Sequence, residues 1–265
     1  MSEPSSSFAT LTLAYDGPLA TITLNRPDKR NAISYELIDE MLRALSEVES
    51  SPAQILILTG SGKAFCSGMD LDNLRAITKR TLEENQADSA KMARLFRSLY
   101  GFPQVTIAAV NGPAIAGGCG LATLCDFTLA SHQAKFGYSE VRIGFVPAIV
   151  SMFLLRQIGE KHARDLLLTG RIIGAEEAYR LGLVNEVLPP DELMHRAREL
   201  ASSLLENSPM SLFATKRLLT AYAEEELDRE TSAAVEENAH IRTTADFREG
   251  VTSFLEKRKP RWTGK

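Results

Sequence analysis

The chain has 265 residues, of which 44% are hydrophobic and 24% are charged. These proportions are typical of a globular protein, and the length fits one large domain or one domain with a short appendage. The net charge of −4 gives no field that attracts nucleic acid or acidic membranes. No apolar run approaches the ~20 residues that span a membrane, and we expect no targeting signal in residues 1–10, which lack an apolar core and an arginine-rich stretch. The three cysteines, Cys66, Cys119 and Cys125, lack CxxC spacing. We therefore expect a cytoplasmic protein without disulfides or a metal site.

Predicted strands and helices alternate through the first 150 residues, which favours a parallel α/β core. Residues 8–24 are typical of a hairpin, and Ser34 is placed to cap a helix that ends before Pro52. Residues 55–58 form a continuous apolar run, typical of a strand buried on both faces. The polar segment 69–85 is predicted to be irregular and mobile, and a helix is predicted over 88–100.

Two glycine-rich loops follow two apolar predicted strands. One covers residues 60–68, after the strand at 55–58, and the other covers 111–118, after the strand at 105–110. A helix is predicted to begin near Gly117. Parallel neighbouring strands would bring both loops to one edge of the sheet, where backbone N–H groups from each could form an oxyanion hole. The alternative is that the glycines only ease packing between a strand and a helix.

Other chemistry at these glycines is poorly supported. Gly118 and Gly120 match part of a dinucleotide-binding fingerprint, but its third position is Thr123. The four histidines are scattered and show no metal-ligand spacing.

The best candidate for a general acid or base is Glu140, which lies in a loop flanked by apolar residues, because partial desolvation raises the pKa of a carboxyl group. The alternative is a surface glutamate paired with Arg142.

The second half of the chain is dominated by predicted helices. A strand is predicted over 126–130, and residues 134–136 are predicted to be extended. Asp246 is interpreted as the cap of the last helix. The predicted helices cover 147–157, 161–168, 175–181, 191–206, 209–226, 230–240 and 246–257.

Taken in order, several motifs resemble the enoyl-CoA hydratase/isomerase (crotonase) superfamily over nearly the whole chain. The resemblance implies a spiral of ββα units over residues 1–200 and a C-terminal helical trimerisation region over 201–265. It further implies a homotrimer or a dimer of trimers acting on acyl-CoA thioesters, with no cofactor beyond the coenzyme A of the substrate. The motifs are Leu24-Asn-Arg-Pro27, Gly62-Lys-Ala-Phe-Cys-Ser-Gly-Met-Asp-Leu71, Ala109-Val-Asn-Gly-Pro-Ala-Ile-Ala-Gly-Gly118, Gly144-Phe-Val-Pro147 and Leu168-Thr-Gly170.

The resemblance also implies roles for individual residues. The backbone N–H groups of Met69 and Gly117 would form the oxyanion hole, and Glu140 matches one of the two glutamates of a typical hydratase. The position of the second glutamate is Gly120 here. Two carboxylates activate water between them, whereas one suffices for an isomerase. The resemblance implies substrate and coenzyme A contacts at Lys29, Arg30, Ala32, Lys63, Ala64, Gly68, Gly118, Phe254 and Lys257.

A finer resemblance favours hydration over isomerisation. Residues 117–121 and 136–148 are similar to a bacterial branch of methylglutaconyl-CoA or related branched enoyl-CoA hydratases, which also lacks the second glutamate. We therefore expect a 2-enoyl-CoA hydratase, with an enoyl-CoA isomerase as the alternative. A third hypothesis is a non-catalytic scaffold that binds RNA or a protein partner.

Overall fold

The computed structural model describes residues 8–265. The prediction that residues 1–10 contain no targeting signal therefore lies outside the described residues for positions 1–7. None of the described helices is long and apolar enough to cross a membrane.

The strands are β1 (Leu11–Asp16), β2 (Leu19–Leu24), β3 (Ile55–Gly60), β4 (Val105–Val110), β5 (Ala114–Ile115), β6 (Phe127–Ser131), β7 (Lys135–Gly137), β8 (Ile173–Gly174) and β9 (Glu186–Leu188). The helices are α1 (Tyr35–Glu49), α2 (Leu71–Ile77), α3 (Leu82–Tyr100), α4 (Gly117–Thr123), α5 (Ala148–Thr169), α6 (Ala175–Arg180), α7 (Leu193–Leu205), α8 (Pro209–Ala221), α9 (Glu224–Ile241) and α10 (Ala245–Leu255), with 3₁₀ helices at Pro27–Lys29 and Glu140–Ile143.

A mixed sheet in the order β1-β2-β3-β4-β6-β9 organises the molecule. The pair β1 and β2 is the predicted antiparallel hairpin, and the pairs from β2 to β9 are parallel. A smaller sheet has the strand order β5-β7-β8. Because β3 and β4 are parallel neighbours, the two glycine-rich loops that follow them leave the same edge of the sheet, as the sequence predicted.

The continuous apolar strands are buried on both faces. In β3, Leu56 and Leu58 belong to one hydrophobic cluster, while Ile55 and Ile57 belong to another on the opposite face. This division follows from the two-residue period of a strand. The second cluster is covered by apolar residues of α7. The sheet is therefore a rigid platform, and the loops at its carboxyl edge have fixed starting points.

The segment 69–85 is largely helical, so the prediction of irregular structure was wrong. Asp70 caps α2 by accepting the N–H of Asp72 at 2.9 Å. Thr81 and Glu84 form a capping box at the start of α3, in which each side chain accepts the other residue's backbone N–H. Both caps satisfy N–H groups that would otherwise be orphaned at a helix start. The polar composition of this segment obscured these signals.

Two further predictions about the C-terminal helices were wrong. The predicted helix 209–226 is interrupted, since α8 ends at Ala221 and α9 begins at Glu224. The cap of α10 is Thr244, which accepts the N–H of Phe247 at 3.1 Å. Asp246 instead accepts the N–H groups of Thr263 and Gly264, so it binds the chain end back onto α10.

Glu40 ties the segment before β1 to α1. Its buried carboxylate accepts the backbone N–H groups of Ala9 and Thr10, each at 2.7 Å, and the Thr10 hydroxyl. Burial alone would raise the pKa of this carboxyl group, but the hydrogen bonds from Thr10 and Ala9 outweigh burial and lower it. The native state therefore binds a proton less readily than the unfolded state does.

We predict that Glu40→Ala lowers the free energy of unfolding by about 2 kcal/mol near neutral pH, because charged hydrogen bonds are lost and buried donors are left unpaired. The difference should shrink as the pH falls below the ordinary range of a glutamate, where the native carboxylate itself becomes protonated. Urea unfolding of both proteins at a series of pH values measures this. A difference that does not change with pH would contradict the assignment to the ionised carboxylate.

Candidate active site

A cavity of about 470 Å³ opens beside the carboxyl edge of the sheet. Both glycine-rich loops contribute to its wall, through Ser67 after β3, which is followed closely by Met69, and through Gly117 after β4. Further wall residues come from the loop after β2, from α3, from the 3₁₀ helix at 140–143, from the start of α5 and from α9. The cavity therefore collects side chains from segments that are far apart in the chain.

The two loops are hydrogen-bonded to each other, which sets their separation. The Ile115 N–H donates to the Cys66 carbonyl at 2.9 Å, and the Cys66 N–H donates to the Pro113 carbonyl at 3.1 Å. A Cβ at Gly118 would lie 2.3 Å from the Cys66 carbonyl oxygen. Glycine is therefore required at position 118 for this close approach.

Met69 and Gly117 each present a backbone N–H group that has no protein acceptor among the hydrogen bonds of residues 8–265. At Met69 this follows from the strand pairing with Ile33. The Ile33 N–H donates to the Gly68 carbonyl at 2.8 Å and the Asp70 N–H donates to the Ile33 carbonyl at 2.9 Å, which leaves the intervening N–H unused. Gly117 is the first residue of α4, where helix N–H groups have no partner within the helix.

Ala116 has a strained backbone directly before Gly117. Its φ of 52° and ψ of −126° lie in a region that residues other than glycine rarely adopt. Such a conformation costs on the order of 1–3 kcal/mol and persists only where the surroundings impose it. Here the Ala116 N–H donates to the Gly137 carbonyl at 2.7 Å. The turn brings the start of α4 to the cavity wall.

Glu140 is the first residue of its 3₁₀ helix and lines the cavity. It is only 8% exposed, and its Oε2 atom has no hydrogen-bond partner. Burial raises the pKa of this carboxyl group from 4.5 to about 7. This placement excludes the alternative of a surface glutamate. A carboxyl group with a pKa near 7 can accept and return protons at neutral pH.

Helix α10 supports the segment that carries Glu140. A Cβ at Gly250 of α10 would lie 2.2 Å from the carbonyl oxygen of Ile143, at the end of the same 3₁₀ helix. Phe247 and Val251 of α10 pack in one cluster with Ile143 and Phe145. Only a glycine at 250 permits this contact, so the position of the 3₁₀ helix depends on α10.

Gly120 faces an apolar wall rather than open space. A Cβ at this position would lie 2.9 Å from Cγ1 of Val150 and 3.0 Å from Cε2 of Phe96. A glutamate would not fit at position 120 unless these side chains moved. Among the carboxylates lining the cavity, Asp70 is paired with Arg26 at 2.8 Å, Asp88 is paired with Arg242, and Asp28 is exposed. Glu140 is thus the buried carboxylate that has no ion-pair partner there.

The other residues implied by the resemblance divide into two groups. Lys29, Arg30, Ala32 and Phe254 line the cavity. The remaining residues lie outside its wall. The Ala64 carbonyl accepts from the Asn31 side chain, the Gly68 carbonyl accepts from the Ile33 N–H, and Gly118 packs on Cys66. Lys63 and Lys257 are exposed. A coenzyme A contact at the residues of either group stays a prediction.

Sequence reasoning missed the polar residues that α3 and α9 bring to the cavity wall. Asp88 comes from α3, Asn238 comes from α9, and Arg242 caps the end of α9. Nothing in the local sequence distinguishes them from solvated residues of polar helices. Their burial results from the packing of α9 on α3.

Comparisons with known proteins relate the chain to one family. The family model for enoyl-CoA hydratase/isomerase matches residues 15–265. A relative from Thermus thermophilus, whose name places it provisionally among the enoyl-CoA hydratases, is 46% identical over 93% of this chain and 98% of its own length. A crotonyl-CoA hydratase from Syntrophomonas wolfei is 34% identical over 98% of this chain and 100% of its own. The crystal structure of an enoyl-CoA hydratase from Mycobacterium avium is 32% identical with a TM-score of 0.86, covering 96% of this chain and 99% of that one.

The chain therefore belongs to the enoyl-CoA hydratase/isomerase family, and the predicted crotonase-type α/β fold is confirmed. Within that family, the protein is an enzyme of the enoyl-CoA hydratase kind.

Proposed function

We propose that this protein adds water reversibly to the double bond of a 2-enoyl-CoA thioester. The observation that carries the proposal is a buried carboxyl group with a pKa of about 7, which lines the same cavity as two unused backbone N–H groups. The N–H groups of Met69 and Gly117 bind the thioester oxygen as it gains negative charge. Glu140 moves the protons.

The proton balance closes with one carboxylate. Glu140 accepts a proton from water as the water oxygen bonds to C3 of the acyl chain, and the electron pair of the double bond moves onto the thioester oxygen as an enolate. The enolate then collapses and C2 takes the proton back from Glu140. The sum is the addition of one water, and the carboxylate is regenerated.

We further propose a branched or methylglutaconyl-type acyl group. The similarity of residues 117–121 and 136–148 to that branch supports it, while related hydratases are named for crotonyl-CoA and short-chain enoyl-CoA. Incubation with crotonyl-CoA and with 3-methylglutaconyl-CoA, followed by the loss of enoyl thioester absorbance, tests both. We expect both to be hydrated, with a higher kcat/KM for the branched substrate. Absence of change with either would contradict the proposed function.

An isomerase is the second candidate, and the apolar wall beside Gly120 is the observation that favours it. In that reaction Glu140 removes a proton from C2 of a 3-enoyl-CoA and returns it to C4. Conversion of 3-enoyl-CoA to 2-enoyl-CoA without any uptake of water would identify this reaction.

We predict that kcat/KM for hydration rises with pH through about 7 and is level above it, because the reaction begins with ionised Glu140. Below that pH the carboxyl group is protonated in the free enzyme and kcat/KM falls about tenfold per pH unit. Initial rates at low substrate concentration from pH 5 to 9 measure this profile. A profile that is flat between pH 5 and 8 would contradict the assigned base.

Binding of coenzyme A and assembly complete the proposal. Lys29 and Arg30 at the cavity wall have the charge to contact phosphates, and we propose the homotrimer or dimer of trimers that the resemblance implies, in the cytoplasm. Exposed apolar side chains on and next to α8, namely Met210, Leu218, Leu219 and Tyr222, support a subunit interface in the region 201–265.

A further inference from the structure

The backbone pairing beside the Met69 N–H is a single bridge. Ile33 exchanges hydrogen bonds with the residues on either side of Met69, and this bridge lies outside the strands of both sheets. A strand within a sheet is held by a ladder of such pairs, whereas this bridge has two hydrogen bonds. The direction of the Met69 N–H therefore depends on further contacts between the two segments.

Arg26 makes contacts on both sides of this bridge. Its Nη1 atom donates to the Ala32 carbonyl at 2.7 Å, one residue before Ile33. Its Nη2 atom donates to Oδ2 of Asp70 at 2.8 Å, one residue after Met69. Both bonds come from one planar guanidinium group, whose donors have a fixed spacing. One side chain therefore joins the two segments that form the bridge.

The backbone of Arg26 is itself hydrogen-bonded to the loop after β3. The Arg26 N–H donates to Oδ1 of Asn31 at 2.8 Å. Nδ2 of this fully buried asparagine donates to the carbonyls of Ser61 and Ala64 at 2.9 and 2.8 Å. These two carbonyls belong to the glycine-rich loop that leads to Met69. The guanidinium group and the oxyanion donor are thus tied to the same piece of backbone.

The bond between Arg26 and Asp70 is charge-assisted. Burial raises the pKa of the Asp70 carboxyl group, but the hydrogen bonds from the Asp72 N–H and from Arg26 outweigh burial and lower it. Asp70 is therefore ionised at neutral pH. The Arg26 side chain is 21% exposed and that of Asp70 is 5% exposed, so solvent screens this pair less than an exposed one. Hydrogen bonds between ionised partners are about twice as strong as neutral ones.

We propose that Arg26 is a positioning residue for the oxyanion hole, and that it acts by holding the Met69 N–H in place. The inference rests on the proposed hydration of a 2-enoyl-CoA and deepens it. Arg26 is not among the described residues that line the cavity, so its effect reaches the thioester through Met69. The position of such a donor matters because a displacement of about 1 Å can reduce the rate about 100-fold.

The carbonyl stretch of a bound thioester tests this without turnover. Butyryl-CoA with ¹³C at the thioester carbon is saturated, so it cannot be hydrated, and its carbonyl frequency falls as hydrogen bonds to the oxygen strengthen. Isotope-edited infrared spectroscopy should show a lower frequency on binding to the wild-type protein. Arg26→Lys should show about half of this change, because one of the two donors is displaced.

Two outcomes of the infrared measurement separate the inference from the proposed function. An equal frequency change in the wild-type protein and in Arg26→Lys would overturn the inference while leaving the oxyanion hole intact. No frequency change in the wild-type protein would contradict the proposed oxyanion hole together with this inference.

Kinetics of the same variant distinguish positioning from substrate binding. Arg26→Lys keeps the positive charge but loses the fork, and with crotonyl-CoA it should reduce kcat about 10- to 100-fold while KM stays within about threefold. A higher KM with unchanged kcat would assign Arg26 to substrate binding and overturn the inference. Arg75→Gln is the matched control, because Arg75 forms an exposed ion pair with Asp72 and is also not among the lining residues. It should match the wild-type protein in kcat and in the carbonyl frequency, and losses equal to those of Arg26→Lys would overturn the inference.

The affinity for butyryl-CoA reports whether each variant is folded. If Arg26→Lys does not fold, Asp70→Asn decides the question, since asparagine keeps an oxygen for the Asp72 N–H but accepts a weaker bond from Arg26. Asp70→Asn should then show a smaller change in carbonyl frequency than the wild-type protein. The full wild-type change in Asp70→Asn would overturn the inference.

Discussion

The Glu140→Gln variant is expected to hydrate 2-enoyl-CoA at least ~1,000-fold more slowly than the wild-type protein, because general acid–base catalysis contributes up to ~10⁴-fold and here one group performs both transfers. Glutamine has nearly the same shape, so it keeps the packing of the buried side chain but neither accepts nor returns a proton. The substrate should still bind, and kcat rather than KM should carry the loss. Stopped-flow and steady-state rates with the same enoyl-CoA measure it.

The stability of the same variant provides a matched control. Burial raises the pKa of Glu140 from 4.5 to about 7, so the native state binds a proton more tightly than the unfolded state does. The wild-type protein therefore loses stability relative to Glu140→Gln as the pH rises from about 4.5 to about 7, by about 3 kcal/mol in total. Turnover within tenfold of wild type, together with this stability change, would show that Glu140 is buried and titrates but is not the catalytic group.

Gly117→Pro is expected to reduce kcat by about 100- to 1,000-fold, since removal of one donor from an oxyanion hole has this effect. Proline lacks the N–H but is tolerated at the first position of a helix, which is where Gly117 lies. Because the backbone of Ala116, directly before it, is strained, a thermal unfolding curve must also be measured to check that the proline variant is folded.

Gly117→Ala is the matched control because it keeps the N–H. Its Cβ would lie 3.2 Å from Cδ1 of Ile33, a contact that a small shift of that side chain relieves. Alanine should retain activity within about tenfold. Equal losses in the proline and alanine variants would assign the effect to the side chain and not to the donor, and would contradict the oxyanion role.

The parts of this site that the sequence predicted arise from local patterns. The two loops follow continuous apolar strands, so their meeting at one sheet edge follows from parallel pairing. Glu140 was identifiable from its apolar flanks. The surroundings of Gly120 could not be predicted from the sequence. Only the positions of Phe96 and Val150 in the structure show that apolar side chains occupy the space beside it, where a glutamate would otherwise lie.

The polar residues that α3 and α9 bring to the cavity wall could not be predicted from the sequence, and the reason is physical. Asp88 and Arg242 are 154 residues apart, and each lies in or next to a helix rich in charged residues. Local sequence assigns such residues to the solvent. Their burial depends on how α9 packs against α3, which no local pattern specifies. The same dependence on tertiary contacts applies to Gly250 of α10, whose closeness to Ile143 positions the segment of Glu140.

Hydration in deuterium oxide tests most directly whether Glu140 alone directs both the hydroxyl group to C3 and the proton to C2. A single carboxylate lies on one face of the planar enoyl group, so the hydroxyl at C3 and the deuterium at C2 must arrive on the same face. NMR of the 3-hydroxyacyl-CoA product determines this geometry. We expect a single diastereomer with both groups on one face. Addition to opposite faces, or deuterium exchange into an isomerised enoyl-CoA without a hydroxylated product, would contradict hydration by one carboxylate.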